Sequence, residues 1–167
     1  MTGKSSAIAK HAGQVANTSA RAGNRVRDLD SALREAAEQA LLRAYCPYSR
    51  FPVGAAVVTE NGDVFTGVNV ENASYGLTVC AERNAVFKAV GEGRRKIRAV
   101  VIVTGRGPPA PPCGACRQVI SEFGSDIPIT SYSSNGRVLR SNIRTLLPSA
   151  FGGKQLHRRS KPKGRNS

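Results

Sequence analysis

Apolar residues recur at Leu33, Ala36, Ala37, Ala40, Leu41 and Ala44, the i, i+3, i+4 spacing of an amphipathic helix, with Asp30 or Ser31 as the expected cap. Residues 53–59 and 64–70 are strand-like runs that flank Asn61-Gly62, a strong hairpin signal. Helical spacing returns at Ala81, Ala85, Val86 and Val90, in a run that opens at Cys80 and stops near Gly91 and Gly93. Residues 97–104 are almost continuously apolar, as in a strand buried on both faces. A proline-rich loop over 105–112 leads into a helix at Cys113, then strands near 127–132 and 137–140 and a short helix after Ser141. Alternating strands and helices imply crossover connections and a mixed sheet covered by helices. Helix starts then sit beyond the carboxyl ends of strands, where such sheets bind ligands.

Charge divides the chain into three parts. The 167 residues carry a formal net charge of +14. Residues 1–27 hold five basic side chains and no acid, and residues 152–167 hold six and no acid. The 14 basic and 11 acidic residues of 28–151 leave that segment at only +3. The expected organisation is one domain over 28–151, large enough for a single core, between a basic extension (1–27), expected to be flexible, and a basic tail (152–167). Positive charge confined to the flanks argues against a polynucleotide-binding core, which needs it along a groove. Residues 1–27 have no long apolar run, so neither a secretory signal nor a membrane span is expected there. A cytoplasmic location is expected, with mitochondrial targeting through 1–27 or nuclear import through the basic C-terminal run as alternatives.

Candidate chemistry lies at the starts of the two later helices, in Cys80-Ala81-Glu82 and Pro112-Cys113-Gly114-Ala115-Cys116. At a helix start, Cys113 and Cys116 place both sulfurs on one face, and Cys80 arrives from a second helix start. Unpaired N–H groups there favour thiolate over thiol. Three thiolates around one Zn²⁺ leave a fourth position for water, whose pKa falls to roughly 7 on the metal. Arg83 and Arg117, each next to a site residue, are candidate donors to the thiolates, Arg83 being preferred. The alternatives are a redox C-x-x-C pair, which needs neither a third cysteine nor a nearby glutamate, and a closed four-cysteine structural site using Cys46. The two histidines, His11 and His157, lie in the flanks, so a carboxylate must move protons, and Glu82 can reach a metal-bound water without itself binding the ion.

These residues, with Ala44-Tyr45-Cys46-Pro47-Tyr48-Ser49, Phe51-Pro52-Val53-Gly54-Ala55, Gly67-Val68-Asn69-Val70-Glu71-Asn72-Ala73, Pro-Cys-Gly-Ala-Cys-Arg-Gln and Leu147-Pro148-Ser149-Ala150-Phe151, resemble the cytidine deaminases of the small, homotetrameric type, over residues 33–151. The resemblance implies an α/β class: a three-layer α/β/α fold on a mixed, mainly five-stranded sheet. It implies one Zn²⁺ per subunit, held by Cys80, Cys113 and Cys116, and hydrolytic deamination of cytidine and deoxycytidine. In the mechanism described for zinc deaminases as a class, zinc-bound hydroxide attacks C4 of cytosine while the glutamate, here Glu82, shuttles protons. Asn69 and Glu71 match groups that hold the ribose hydroxyls, and an N-x-E on a strand puts both side chains on one side. Phe51 matches a ring packed on the base, and Ala81 a backbone contact to the pyrimidine. Phe151 matches a ring donated by a neighbouring subunit, and Tyr75 lies in a loop that helps close the site.

The implied partners are a nucleoside substrate and further copies of this chain, with no membrane and no nucleic acid at the core. Two functional alternatives share much of the motif set: cytosine deamination in polynucleotides and deamination of a modified cytosine nucleoside antibiotic. Against the first stand a cysteine where polynucleotide editors resemble H-x-E, and an aromatic content of 5% without tryptophan, which supplies no evident stacking platform.

Overall fold

The computed structural model describes residues 28–156; the expectations for the basic extension 1–27, for the histidines and for most of the basic tail lie outside them. Helix α1 (residues 28–41) leads through a loop to strands β1 (Val53–Thr59) and β2 (Val64–Val68). A 3₁₀ turn (Tyr75–Leu77) precedes α2 (Ala81–Gly91), β3 (Ile97–Thr104) and α3 (Gly114–Ser121). Strands β4 (Pro128–Ser133) and β5 (Val138–Asn142) and two short helices, α4 (Ile143–Leu146) and α5 (Gly153–Leu156), follow. The five strands form one mixed sheet in the order β2-β1-β3-β4-β5, with β3 and β4 parallel and the other neighbours antiparallel. Because β1 opposes both β2 and β3, those two run the same way, and α2 crosses over β1 to join them.

The sheet is apolar on both faces. On one, Ala55, Val57, Val100, Ile102 and Ile129 pack against Ala81, Ala85, Val86 and Ala89 of α2 and Cys116 and Ile120 of α3. On the other, Ala56, Val58, Val101 and Val103 pack against Leu33 and Ala37 of α1. The alternation along β1 and β3 puts successive side chains in different layers, which explains why residues 97–104 read as an unbroken apolar run. Each fully buried Val or Ile contributes about 1.5–3 kcal/mol of transfer free energy.

Two glycines set how closely the helices lie on the sheet. A Cβ on Gly54 would sit 2.1 Å from the Ala37 carbonyl oxygen of α1, and one on Gly67 would sit 2.4 Å from both the Ala81 oxygen and the Ala85 nitrogen of α2. The buried face of α2 is mostly alanine for the same reason: small side chains let the helix backbone approach the strands.

The structure corrects three expectations of local detail. Asp30 is not a cap, since helix is already present at residue 28; its carboxylate accepts a hydrogen bond from the Tyr132 hydroxyl, and Leu29 packs into the α1 layer, so tertiary contacts override the capping signal. The first helix ends at 41, before Ala44. Strand β2 stops at Val68, and Val70 instead makes single bridges to Tyr45 and Val79, so Asn69 and Glu71 stand on an irregular segment beyond the strand. Among the described residues, no helix is long and apolar enough to cross a membrane.

Candidate active site

Cys80 and Cys113 are the N-cap residues of α2 and α3, both with extended backbone, and Cys116 lies in the first turn of α3. The helix starts are brought together because both helices leave the same end of the sheet and pack on the same face. The three Sγ atoms lie within 4.8 Å of one another: Cys80 to Cys113 is 3.8 Å and Cys113 to Cys116 is 3.5 Å. Sulfurs bound tetrahedrally to one zinc at about 2.3 Å would be about 3.8 Å apart, whereas a disulfide would need about 2.05 Å. The donor set fits zinc, and all four cysteines of the chain are free thiols. Cys46, half-buried in the loop after α1, is not part of the cluster, so a closed four-cysteine site is not formed.

The sulfurs differ in how firmly each holds a proton. The Cys80 thiol is held down to about 5, chiefly by its hydrogen bond with Cys116, against the effect of burial and with help from Arg83. Cys116 is pushed up by the same bond, then by burial and the Glu82 carboxylate, so it keeps the proton that a metal would displace. Arg83 donates to the Thr78 carbonyl at 2.9 Å and approaches the Cys80 sulfur at 3.9 Å. Arg117 does not join it. Its Nε donates to the Pro112 carbonyl (2.8 Å) and its Nη1 to the Leu146 carbonyl (3.2 Å), so it braces the loop ahead of Cys113 against the end of α4 instead of facing the thiolates.

Glu82, in the first turn of α2, is only 5% exposed. Burial pushes its carboxyl above the usual carboxylate range, and the nearby Cys80 charge acts in the same direction. A buried carboxyl beside a cluster of thiols is suited to holding and releasing a proton. Ala81, immediately before it, is fully buried at the helix start.

The remaining predicted residues, Phe151 excepted, gather around the segment 48–53. Glu71 accepts hydrogen bonds from the backbone N–H groups of Tyr48 (2.9 Å) and Ser49 (3.1 Å) and from the Ser49 hydroxyl, which together hold its carboxyl below its ordinary range, the hydroxyl contributing most. Asn69 is buried; its Oδ1 accepts from Val53 N–H (2.8 Å) and its Nδ2 donates to the Phe51 carbonyl (3.0 Å). Both side chains thus serve the loop ahead of β1. The Val70–Val79 bridge carries this group toward Cys80, one residue on. A cleft of about 350 Å³ lined by Tyr48, Ser49, Glu71, Tyr75 and Thr78 adjoins it. Tyr75 is 74% exposed and meets Tyr48 edge-on at 6.0 Å between ring centroids. Phe151 is 57% exposed, away from any buried cluster, with its carbonyl bound by Gln118 (2.7 Å). Sequence reasoning gave no role to Ser49, Thr78 or Gly67. Ser49 sits in a quoted motif, but its bond to Glu71 spans 22 positions, which no local pattern signals.

The family model for the cytidine and deoxycytidylate deaminase zinc-binding region matches residues 27–131. A cytidine deaminase of Halalkalibacterium halodurans is 48% identical over 120 residues, spanning 71% of this chain and 91% of the relative, and a probable cytidine deaminase of Dictyostelium discoideum is 44% identical over 123 residues, spanning 73% and 83%. The crystal structure of a cytidine deaminase from Burkholderia pseudomallei superposes with a TM-score of 0.69 at 48% identity, covering 72% of this chain and 98% of that one. Fold, cysteine cluster and relatives agree: the chain belongs to the cytidine and deoxycytidylate deaminase zinc-binding family.

Proposed function

We propose that this protein hydrolyses cytidine and deoxycytidine to uridine and deoxyuridine, releasing ammonia. The observation that carries the reading is the buried Glu82 beside three sulfurs spaced to share one ion. Zinc bound there supplies Lewis acidity and an acidified water at neutral pH. Cys80, Cys113 and Cys116 hold the metal, and Arg83 offsets their negative charge. Glu82 takes a proton from the attacking water and delivers it to N3 of the base, then takes the second proton of that water from the hydroxyl now on C4 and passes it to the departing amine. Phe51 packs on the base, the Ala81 backbone contacts it, and Asn69 and Glu71 hold the sugar.

The exposed rings of Tyr75 and Phe151 support a site completed between subunits of a homotetramer, Phe151 entering a neighbour's pocket. The same reading places the enzyme in the cytoplasm, in pyrimidine nucleoside salvage. Zinc quantification combined with an absorbance assay on cytidine, deoxycytidine and a cytosine-containing oligonucleotide tests it. About one zinc per chain and turnover of both nucleosides are expected. Faster, salt-sensitive turnover of the oligonucleotide would overturn the substrate class, and a monomer by light scattering would overturn the shared site.

A further inference from the structure

Arg50 has a φ of 53°, the one left-handed non-glycine among the described residues. Such a conformation is uncommon for a long side chain and persists only where its surroundings hold it. It lies between Ser49, whose hydroxyl and N–H bind Glu71, and Phe51, whose carbonyl is bound by Asn69. Ser49 Oγ also accepts from Phe51 N–H at 3.0 Å, so the two neighbours are linked across the turn. Arg50 N–H donates to the Cys46 carbonyl at 3.0 Å. Its own carbonyl accepts from Arg106 Nη1 at 2.8 Å, a contact 56 positions distant in sequence.

Arg106 stands in the loop that leaves β3 and runs into Cys113. The same loop touches the turn twice more. Gly105 N–H donates to the Pro52 carbonyl at 2.9 Å, and a Cβ on Gly107 would lie 3.6 Å from Phe51 Cε2, so the ring rests against the loop. The approach to the metal cluster and the segment that presents Ser49 and Phe51 are therefore joined by these two contacts and by the Arg106 guanidinium, which alone among the described residues holds the carbonyl of the left-handed residue.

We propose that Arg106 is a positioning residue for the nucleoside pocket. By holding the Arg50 carbonyl it keeps the left-handed turn, and with it Ser49 and Phe51 stay in register with Glu71 and Asn69. The inference rests on the assignment of those residues to the nucleoside. Arg106 is exposed, so removing its side chain leaves the core intact.

The test compares Arg106→Ala and Arg106→Lys, each also in an Arg50→Gly background. Arg106→Ala is expected to raise KM for cytidine about tenfold, the scale of one hydrogen bond from a charged donor, with kcat within about twofold and zinc content unchanged. Arg106→Lys, which can still donate to the carbonyl, should recover most of the loss. Glycine adopts positive φ without help, so in Arg50→Gly the Arg106→Ala effect should shrink to less than about threefold. Amide exchange over residues 48–53 without nucleoside should quicken about tenfold in Arg106→Ala. Unchanged KM and exchange in that variant, or a loss equally large in both backgrounds, would overturn the proposal. If wild-type protein does not turn over cytidine, the functional reading fails instead, and the exchange measurement alone still decides whether Arg106 holds the turn.

Discussion

The metal end and the proposed sugar end of the site are held by different forces. Cys80, Glu82 and Cys116 stand at the starts of helices whose inner faces are fully buried against the sheet, so hydrophobic packing fixes them. Glu71 and Ser49 are tied instead by hydrogen bonds between irregular segments near solvent. Packing resists small perturbation until it fails as a unit, whereas a hydrogen-bonded loop can lose one member at a cost of roughly 0.5–1.5 kcal/mol. The contrast suits a centre in which proton transfer needs fixed geometry and a pocket that must admit a substrate.

The largest expected effect is at the metal end. Cys113→Ala should abolish zinc binding and turnover together, read by metal analysis and the nucleoside assay; a metal-free, active variant would mean that the sulfurs do not hold the ion. Glu82→Gln sharpens the point by leaving the sulfurs in place: zinc should remain while kcat falls by about 10²- to 10⁴-fold. Next comes Gly67→Ala. The new methyl meets backbone atoms of α2 at 2.4 Å, so the helix carrying Glu82 must move, at about 1–3 kcal/mol in denaturant unfolding and with weakened zinc retention. Unchanged stability would show that packing is less decisive here than claimed.

At the sugar end the effects should be smaller and confined to binding. Ser49→Ala should raise KM for cytidine by about three- to tenfold and leave zinc untouched, in keeping with the loss of the two hydrogen bonds its hydroxyl makes, to Glu71 and from Phe51 N–H. The smallest effect concerns pH. Because the folded Glu71 carboxyl titrates below its ordinary 4.5, the contribution of its bonds to stability is complete above about 4.5 and is lost as pH falls through the lower folded value. Melting curves should therefore show no pH dependence from Glu71 between about pH 6 and 8, where its contribution is fully present, and Ser49→Ala should bring the acid-side decline to higher pH. A decline that stays where it was would remove Ser49 as the main cause of the depressed value.

Much of this was legible from residue order. Period-3.6 spacing found α2, a solid apolar run found β3, and Cys80, Cys113 and Cys116 announced a metal through chemistry that few other arrangements require. What escaped depends on contacts distant in sequence. Asp30 has the composition of a cap but bonds to Tyr132, 102 positions away. Arg117 follows a ligand, yet its side chain turns to the carbonyls of Pro112 and Leu146. Gly54 and Gly67 look like ordinary strand glycines until helix backbones are laid across them. Nothing about an arginine foretells the left-handed turn at position 50.

The bond between Asp30 and Tyr132 also limits how short a working fragment can be. Tyr132 is further covered by the Arg34 guanidinium, 4.6 Å above its ring, so two side chains from the beginning of α1 fasten that helix to β4. Trimming the amino end up to residue 28 spares both fasteners, whereas a cut after Arg34 discards them together and uncovers the valines of the opposite sheet face. Such a product would be prone to aggregate even though every residue of the reaction centre remained in the chain.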